Sequence, residues 1–338
     1  MPKGKAILGI AALLTTALFT TAADWPTYLG NGQRTGASAG ETTLSTANAG
    51  RLTRLWSFQT GGVIAASATV VGGIVYVGSW DGNEYALDAA TGALKWKTFL
   101  GTTTAPNCSP SSAGVSSAAA VANGVVYVGG GDAFWYALDA LTGAVLWRVF
   151  TGDNSATGGH YNWSSPLIYN GFAYIGIASL GDCPLVQGQL LQVDLTTHQV
   201  INTFNLVPNG QVGGGIWTSP AVDATTNTIY MTTGTIAGTQ PLAQAIVAVD
   251  ASSLALRSSW QLPAGQAIND SDWGNTPTLF STAAGRPMVA AINKNGFLYA
   301  LDRTNLAAGP VWQQQFSVGG ICPTCGDGSI SSGAFANG

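Results

Sequence analysis

The chain has 338 residues, a net charge of −4 and only 8% charged residues, against roughly 25% in ordinary soluble domains. The negative balance and five scattered lysines exclude a nucleic-acid surface, which needs a basic patch. Length alone suggests two domains, but 45 glycines suit tightly turned sheets packed into one body.

The first 23 residues read as a signal peptide. Lys3 and Lys5 precede an apolar Ala- and Leu-rich run over 6–22, and Thr21-Ala22-Ala23 offers small residues for cleavage before Asp24. The competing reading is a lone membrane anchor, but the run is short and lacks a basic stop-transfer flank. No cysteine lies near the cleavage point, so a lipid anchor is not expected. No later segment is long and apolar enough to span a bilayer. The expected location is periplasmic or secreted, where four cysteines can form disulfides.

Residues 24–54 form a polar lead-in. Leu55-Trp56-Ser57-Phe58 then matches the aromatic-bearing last strand of a repeat whose earlier strands are absent. Five repeats follow. The clearest two read Val75-Tyr76-Val77-Gly78 through Tyr85-Ala86-Leu87-Asp88 to Trp96, and Val126-Tyr127-Val128-Gly129 through Tyr136-Ala137-Leu138-Asp139 to Trp147. The closing Asp recurs at Asp88, Asp139, Asp194, Asp250 and Asp302, each with an aromatic eight to ten residues later. A period near fifty, with four short strand-like runs and no helical stripe, predicts four-stranded propeller blades. The fold class is therefore all-β, with 24–338 as one propeller domain. Blades are expected over about 64–99, 114–150, 161–204, 216–262 and 272–316. In the two clearest repeats, Asp-x-x-Thr-Gly is the turn between strands three and four, where Asp caps backbone donors and Gly accepts positive φ. Ser329-Ile330-Ser331-Ser332-Gly333-Ala334-Phe335 resembles the first strand of a sixth blade, so the ring is expected to be incomplete and the chain a fragment.

These residues resemble the pyrroloquinoline-quinone (PQQ) repeat family over nearly all of 24–338. Three segments add specificity: Gly213-Gly214-Gly215-Ile216-Trp217-Thr218-Ser219-Pro220, Asp182-Cys183-Pro184-Leu185-Val186-Gln187-Gly188, and Asn293-Lys294-Asn295-Gly296 running into Asp302-Arg303. They are similar to quinoprotein alcohol dehydrogenases, particularly the polyvinyl-alcohol-dehydrogenase-like branch. That resemblance implies an eight-bladed propeller holding PQQ and Ca²⁺ on its axis. It also implies a small or polymeric alcohol as substrate and an electron-accepting cytochrome as partner.

By the same resemblance, Trp217 forms the floor under the PQQ ring, Lys294 meets the quinone oxygens, and Asp182 is a calcium ligand. A flat indole suits a planar ring, a cation stabilises a developing oxyanion, and a carboxylate suits a hard metal. The alternatives are a packing Trp, a solvated turn Lys and an ordinary loop Asp. The chain also departs from the family. Thr235 stands where a calcium-binding Asn belongs, and 239–244 lack the catalytic Asp. Asp270 and Asp272 open blade five at the same end of the propeller, where either could serve as a base; the alternative is an ordinary surface loop, and the residues name no general base. Cys322-Pro323-Thr324-Cys325 lacks the following His of a haem site and reads as a small disulfide loop. Cys108 has no cysteine neighbour, which leaves pairing with Cys183 open. A non-catalytic scaffold and a carbohydrate-binding propeller are the rival functions.

Overall fold

The computed structural model describes residues 24–38, 40–321 and 326–336. The leader at 1–23 and the Cys322–Cys325 loop lie outside the described residues. The architecture is a β-propeller. Blade one comprises Thr69–Val71, Ile74–Gly78, Asn83–Asp88 and Leu94–Phe99, paired antiparallel in chain order. Blade two comprises Ala120–Ala122, Val125–Gly129, Phe134–Asp139 and Val145–Phe150. Blade three has Leu167–Tyr169, Phe172–Ser179, Gln189–Asp194 and Gln199–Asn205, with His160–Tyr161 pairing the far end of its long second strand. Blades four and five start at Ala221–Asp223 and Thr278–Ser281, and end at Leu256–Gln261 and Pro310–Gln315. Among the described residues, the only helical elements are three short 3₁₀ turns.

The turn chemistry repeats as the sequence implies. Oδ1 of each closing Asp accepts the backbone N–H two residues on, for example from Ala90, Leu141, Thr196, Ser252 and Thr304. Gly92 and Gly143 take φ of 72° at the left-handed position, but His198 and Leu254 occupy it in blades three and four. A bulge interrupts the outer strand pair of every blade just before the Asp. It adds twist where a flat outer edge would invite further pairing.

Tryptophans join neighbouring blades. Trp96 at the rim of blade one donates its indole N–H to Ala140 O, directly after the turn Asp of blade two, at 3.0 Å. Trp56 does the same to Ala89 O of blade one at 2.9 Å. The segment 55–58 therefore docks as a last strand would, although it pairs with no strand among the described residues. Hydroxyls join the inner ends. The N–H groups of Ala118, Ser165, Ser219 and Thr276 donate in turn to the side-chain oxygens of Ser165, Ser219, Thr276 and Ser332, at 2.9–3.1 Å. Residues 329–335 follow this path, with Phe335 stacked on Phe280 at 4.5 Å.

The lead-in is a strap. Its backbone bonds the first strands of blades one, two, four and five, Trp25 with Val70, Pro26 with Val121, Gly32 with Val222 and Gln33 with Leu279, and then Thr35 bonds Phe335. Arg34 is fully buried. Its guanidinium donates to Pro166 O and Pro220 O, and within the strap to Tyr28 O and Thr27 Oγ1.

One core residue breaks the repeat. Glu84 sits four residues before its turn Asp, where the other blades carry Trp135, Leu190, Ile246 and Leu298. Strand alternation puts it on the side of Ala86, which packs with Val126 and Leu138 of blade two. It is fully buried, neither carboxyl oxygen has a hydrogen-bond partner among the described residues, and burial raises its pKa well above the usual carboxyl range. The carboxyl is therefore neutral in the folded state and ionised in the unfolded state at pH 7, which costs stability. Glu84→Leu is expected to stabilise the fold by about 1–3 kcal/mol at pH 7. The gain should shrink toward pH 4, because a raised pKa leaves stability intact only below the unfolded value. Urea midpoints at pH 4.5 and 8 would check this; a destabilised variant at both would refute it.

Candidate functional site

The site lies at the propeller end where first strands begin and second strands finish. Trp217 comes just before the first strand of blade four, and Thr235 just after its second strand. Asp270 and Asp272 precede the first strand of blade five, and Lys294 follows its second strand, Pro287–Ile292. Asp182 follows the long second strand of blade three. Connections from three blades thus converge on one cavity of about 370 Å³, within the usual range for small-molecule sites.

Backbone contacts fix this convergence. Lys294 N donates to Asp272 O at 3.1 Å, and the Asn293 side chain donates to Ser271 O at 2.8 Å. Gly234 N donates to Gly215 O at 2.8 Å, holding the glycine run beside the end of strand two. The glycines around Trp217 are spatial requirements. A Cβ on Gly274 would lie 2.4 Å from the indole Cη2, and one on Gly234 would lie 3.1 Å from its Nε1. The ring therefore lies against bare backbone and forms part of the cavity wall.

Trp217 and Lys294 meet: Nζ is 5.3 Å from the indole centroid, within reach of a cation–π contact. The ammonium is 2.9 Å from Asp270 Oδ2 and 3.8 Å from Asp272 Oδ2. Thr235 Oγ1 lies 2.7 Å from Asp182 Oδ2 and 3.1 Å from Asp272 Oδ1, and Ser179 Oγ donates to Asp182 Oδ1 at 2.5 Å. One hydroxyl carries one proton, so two such contacts to Thr235 call for a second proton on a carboxyl. Asp272 is the suitable holder. It is 5% exposed, and burial pushes its pKa up to about 7; Lys294 opposes the shift, while Asp270 and Asp182 add to it.

The four charged lining residues are three carboxylates and one ammonium. The wall formed by Ser179, Asp182, Thr235 and Asp272 presents oxygen donors only, which suits a hard cation such as calcium. Trp217 and Lys294 suit a planar quinone. Among the described residues no cluster of three or more His, Cys, Asp or Glu side chains forms a ready metal cage, so a cation here would need additional oxygens.

Cys108 and Cys183 are disulfide-bonded, which closes the pairing that the sequence leaves open. Residues beside both cysteines, Ser109, Pro110 and Asp182, line the cavity. Sequence reasoning finds Trp217, Lys294 and Asp182 by motif and notes Asp270 and Asp272. It treats Thr235 only as a missing Asn, whereas Thr235 is the hydroxyl between two carboxylates. The signal for that role was its place directly after Thr232-Thr233-Gly234, in line with the blade-five turn that carries Lys294.

Residues 33–314 match the PQQ_2 family model, described as outer membrane protein assembly factor BamB. The polyvinylalcohol dehydrogenase of Sphingopyxis sp. (strain 113P3) is 28% identical over 318 residues, covering 82% of this chain and 48% of that protein. Among solved structures, the quinohemoprotein alcohol dehydrogenase ADHIIG of Pseudomonas putida HK5 superposes with a TM-score of 0.73 at 24% identity, over 87% of this chain and 48% of that one. BamB from Moraxella catarrhalis gives 0.53 at 18% identity, over 78% and 67%. The chain spans about half the length of the curated relatives it matches first. Repeat, fold and family match agree: the chain belongs to the PQQ-repeat β-propeller family.

Proposed function

We propose that this chain is the cofactor-bearing part of a periplasmic or secreted quinoprotein dehydrogenase that oxidises a small or polymeric alcohol. The observation that carries the reading is the meeting of Trp217, Lys294 and three carboxylates in one cavity. The polyvinylalcohol dehydrogenase relatives support the substrate class. Residues 1–23 would direct export, and a cytochrome would take the electrons.

PQQ, when bound, supplies a quinone that accepts a hydride. Trp217 would give its ring a flat floor. Lys294, held by Asp270, would place an ammonium against a quinone oxygen and stabilise charge there. Asp182 would be a ligand to calcium. Once ionised, above its raised pKa of about 7, Asp272 would be the candidate base for the alcohol hydroxyl: it is buried beside Lys294 and lines the cavity. It would take over the role of the carboxylate missing from 239–244.

A non-catalytic binding scaffold is the second reading. It is favoured by that missing carboxylate, by Thr235 in place of Asn, and by the likeness to BamB. Titration with PQQ, with and without calcium, followed by tryptophan fluorescence, separates the two. Saturable quenching that Trp217→Ala abolishes, together with alcohol-dependent reduction of an artificial acceptor dye, is the expected result. Quenching without dye reduction would favour the scaffold, and no quenching would end the cofactor reading.

A further inference from the structure

The Cys108–Cys183 bridge joins two segments 75 residues apart. One is the connection between blades one and two, folded back on itself by the pairing of Thr103–Thr104 with Ser112–Ala113. The other leaves the second strand of blade three and passes through Asp182, the immediate neighbour of Cys183. The backbone bonds that anchor this second segment lie at its ends, Leu180 N to Gly159 O and Gly213 N to Val186 O. Between them, Asp182 holds φ at 60°, a left-handed conformation that a non-glycine residue keeps only where its surroundings enforce it.

Those surroundings come from three parts of the chain. Ser109, next to Cys108, packs on the same segment: a Cβ on Gly181 would lie 2.9 Å from Ser109 O. Ser179 and Thr235 donate to the two carboxylate oxygens of Asp182. The hydroxyls fix the carboxylate only if the backbone brings it to them, and the disulfide pins that backbone one residue away.

The geometry points to the Cys108–Cys183 bridge as a positioning element that presents the Asp182 carboxylate to a hard divalent cation. This rests on the calcium reading of the site given above.

The test is calorimetric titration of the full chain, freed of metal by chelation, with calcium chloride. The background is Cys322→Ser/Cys325→Ser, so that only this bridge can be reduced. Adding Cys108→Ser/Cys183→Ser is expected to weaken calcium binding by about 10- to 100-fold, the usual cost of losing support for a metal ligand. Asp182→Asn should weaken it to a similar degree. Combining the two changes should give no further loss, because both act on one carboxylate. Thermal unfolding without calcium monitors the fold. If the serine variant fails to fold, phosphine reduction of the folded parent provides the same comparison. Unchanged calcium affinity with the bridge removed, or additive losses, would overturn the positioning role. A parent chain that takes up no calcium would overturn both this role and the calcium reading beneath it.

Discussion

Replacing Arg34 with Ala is expected to destabilise the fold by about 3–5 kcal/mol, the range for uncompensated loss of a buried charged hydrogen-bonding group. The guanidinium has no carboxylate partner among its hydrogen bonds; its acceptors are three carbonyls and a hydroxyl. Burial draws its pKa down to about 10, so it stays charged at neutral pH. Removing it strands the buried Pro166 O and Pro220 O and leaves a void between the strap and blades three and four. Arg34→Lys should recover little, because one ammonium cannot reproduce the planar fork that reaches these acceptors. The check is urea denaturation, with limited proteolysis as a local readout: cleavage within 25–35 should appear before the blades are cut. A loss below about 1 kcal/mol would show that the strap is held by its backbone bonds alone.

Asp272→Asn is expected to stabilise the protein while removing the candidate base. The folded-state pKa of Asp272 is raised from 3.8 to about 7, chiefly by burial. Its stabilising contribution is therefore complete below the unfolded value and is lost as pH rises through about 7. The Asn variant escapes that loss. Its advantage should be near zero at pH 4 and grow to about 2–4 kcal/mol at pH 8. Lys294 keeps Asp270 as its partner, which limits the compensating loss. Asp250 and Asp302, both held down at about 2 by hydrogen bonds to their turns and by Arg257 and Arg286, act in the opposite direction. Their contribution is present above about 4 and fades as pH falls toward 2. Thermal unfolding at pH 4.5, 6 and 8 would reveal the growing gap. A gap independent of pH would mean that Asp272 is not the titrating group.

The fold was legible because each blade repeats the same local chemistry. The turn Asp, the aromatic at the rim and the paired apolar runs can all be read within fifty residues. Even the docking of Trp56 followed from its match to Trp96 and Trp147. Trp217 and Lys294 were picked out by motif, and the Lys294 ammonium lies 5.3 Å from the indole centroid. Thr235 and Asp272 became visible as partners only when blades three, four and five were brought together, since no local pattern records a contact spanning 37 or 53 residues. Arg34 lay in a lead-in rich in Gly, Asn and Thr that reads as surface loop; two of its three carbonyl partners are 132 and 186 residues away. Glu84 was hidden by the opposite effect, a repeat that led one to expect another apolar residue.

The chain of hydroxyls along the inner strands bears on how such an array can grow by duplication. Each of Ser165, Ser219 and Thr276 receives the amide of the preceding blade and offers its own amide to the following one. A tandem copy of one such blade would therefore arrive with both halves of its joint already matched, and could be inserted without altering either neighbour. Ala118 is the exception: it offers an amide but has no hydroxyl with which to receive that of Ser67. Blade two is thus a poorer donor for such copying, because its joint with blade one lacks this hydroxyl.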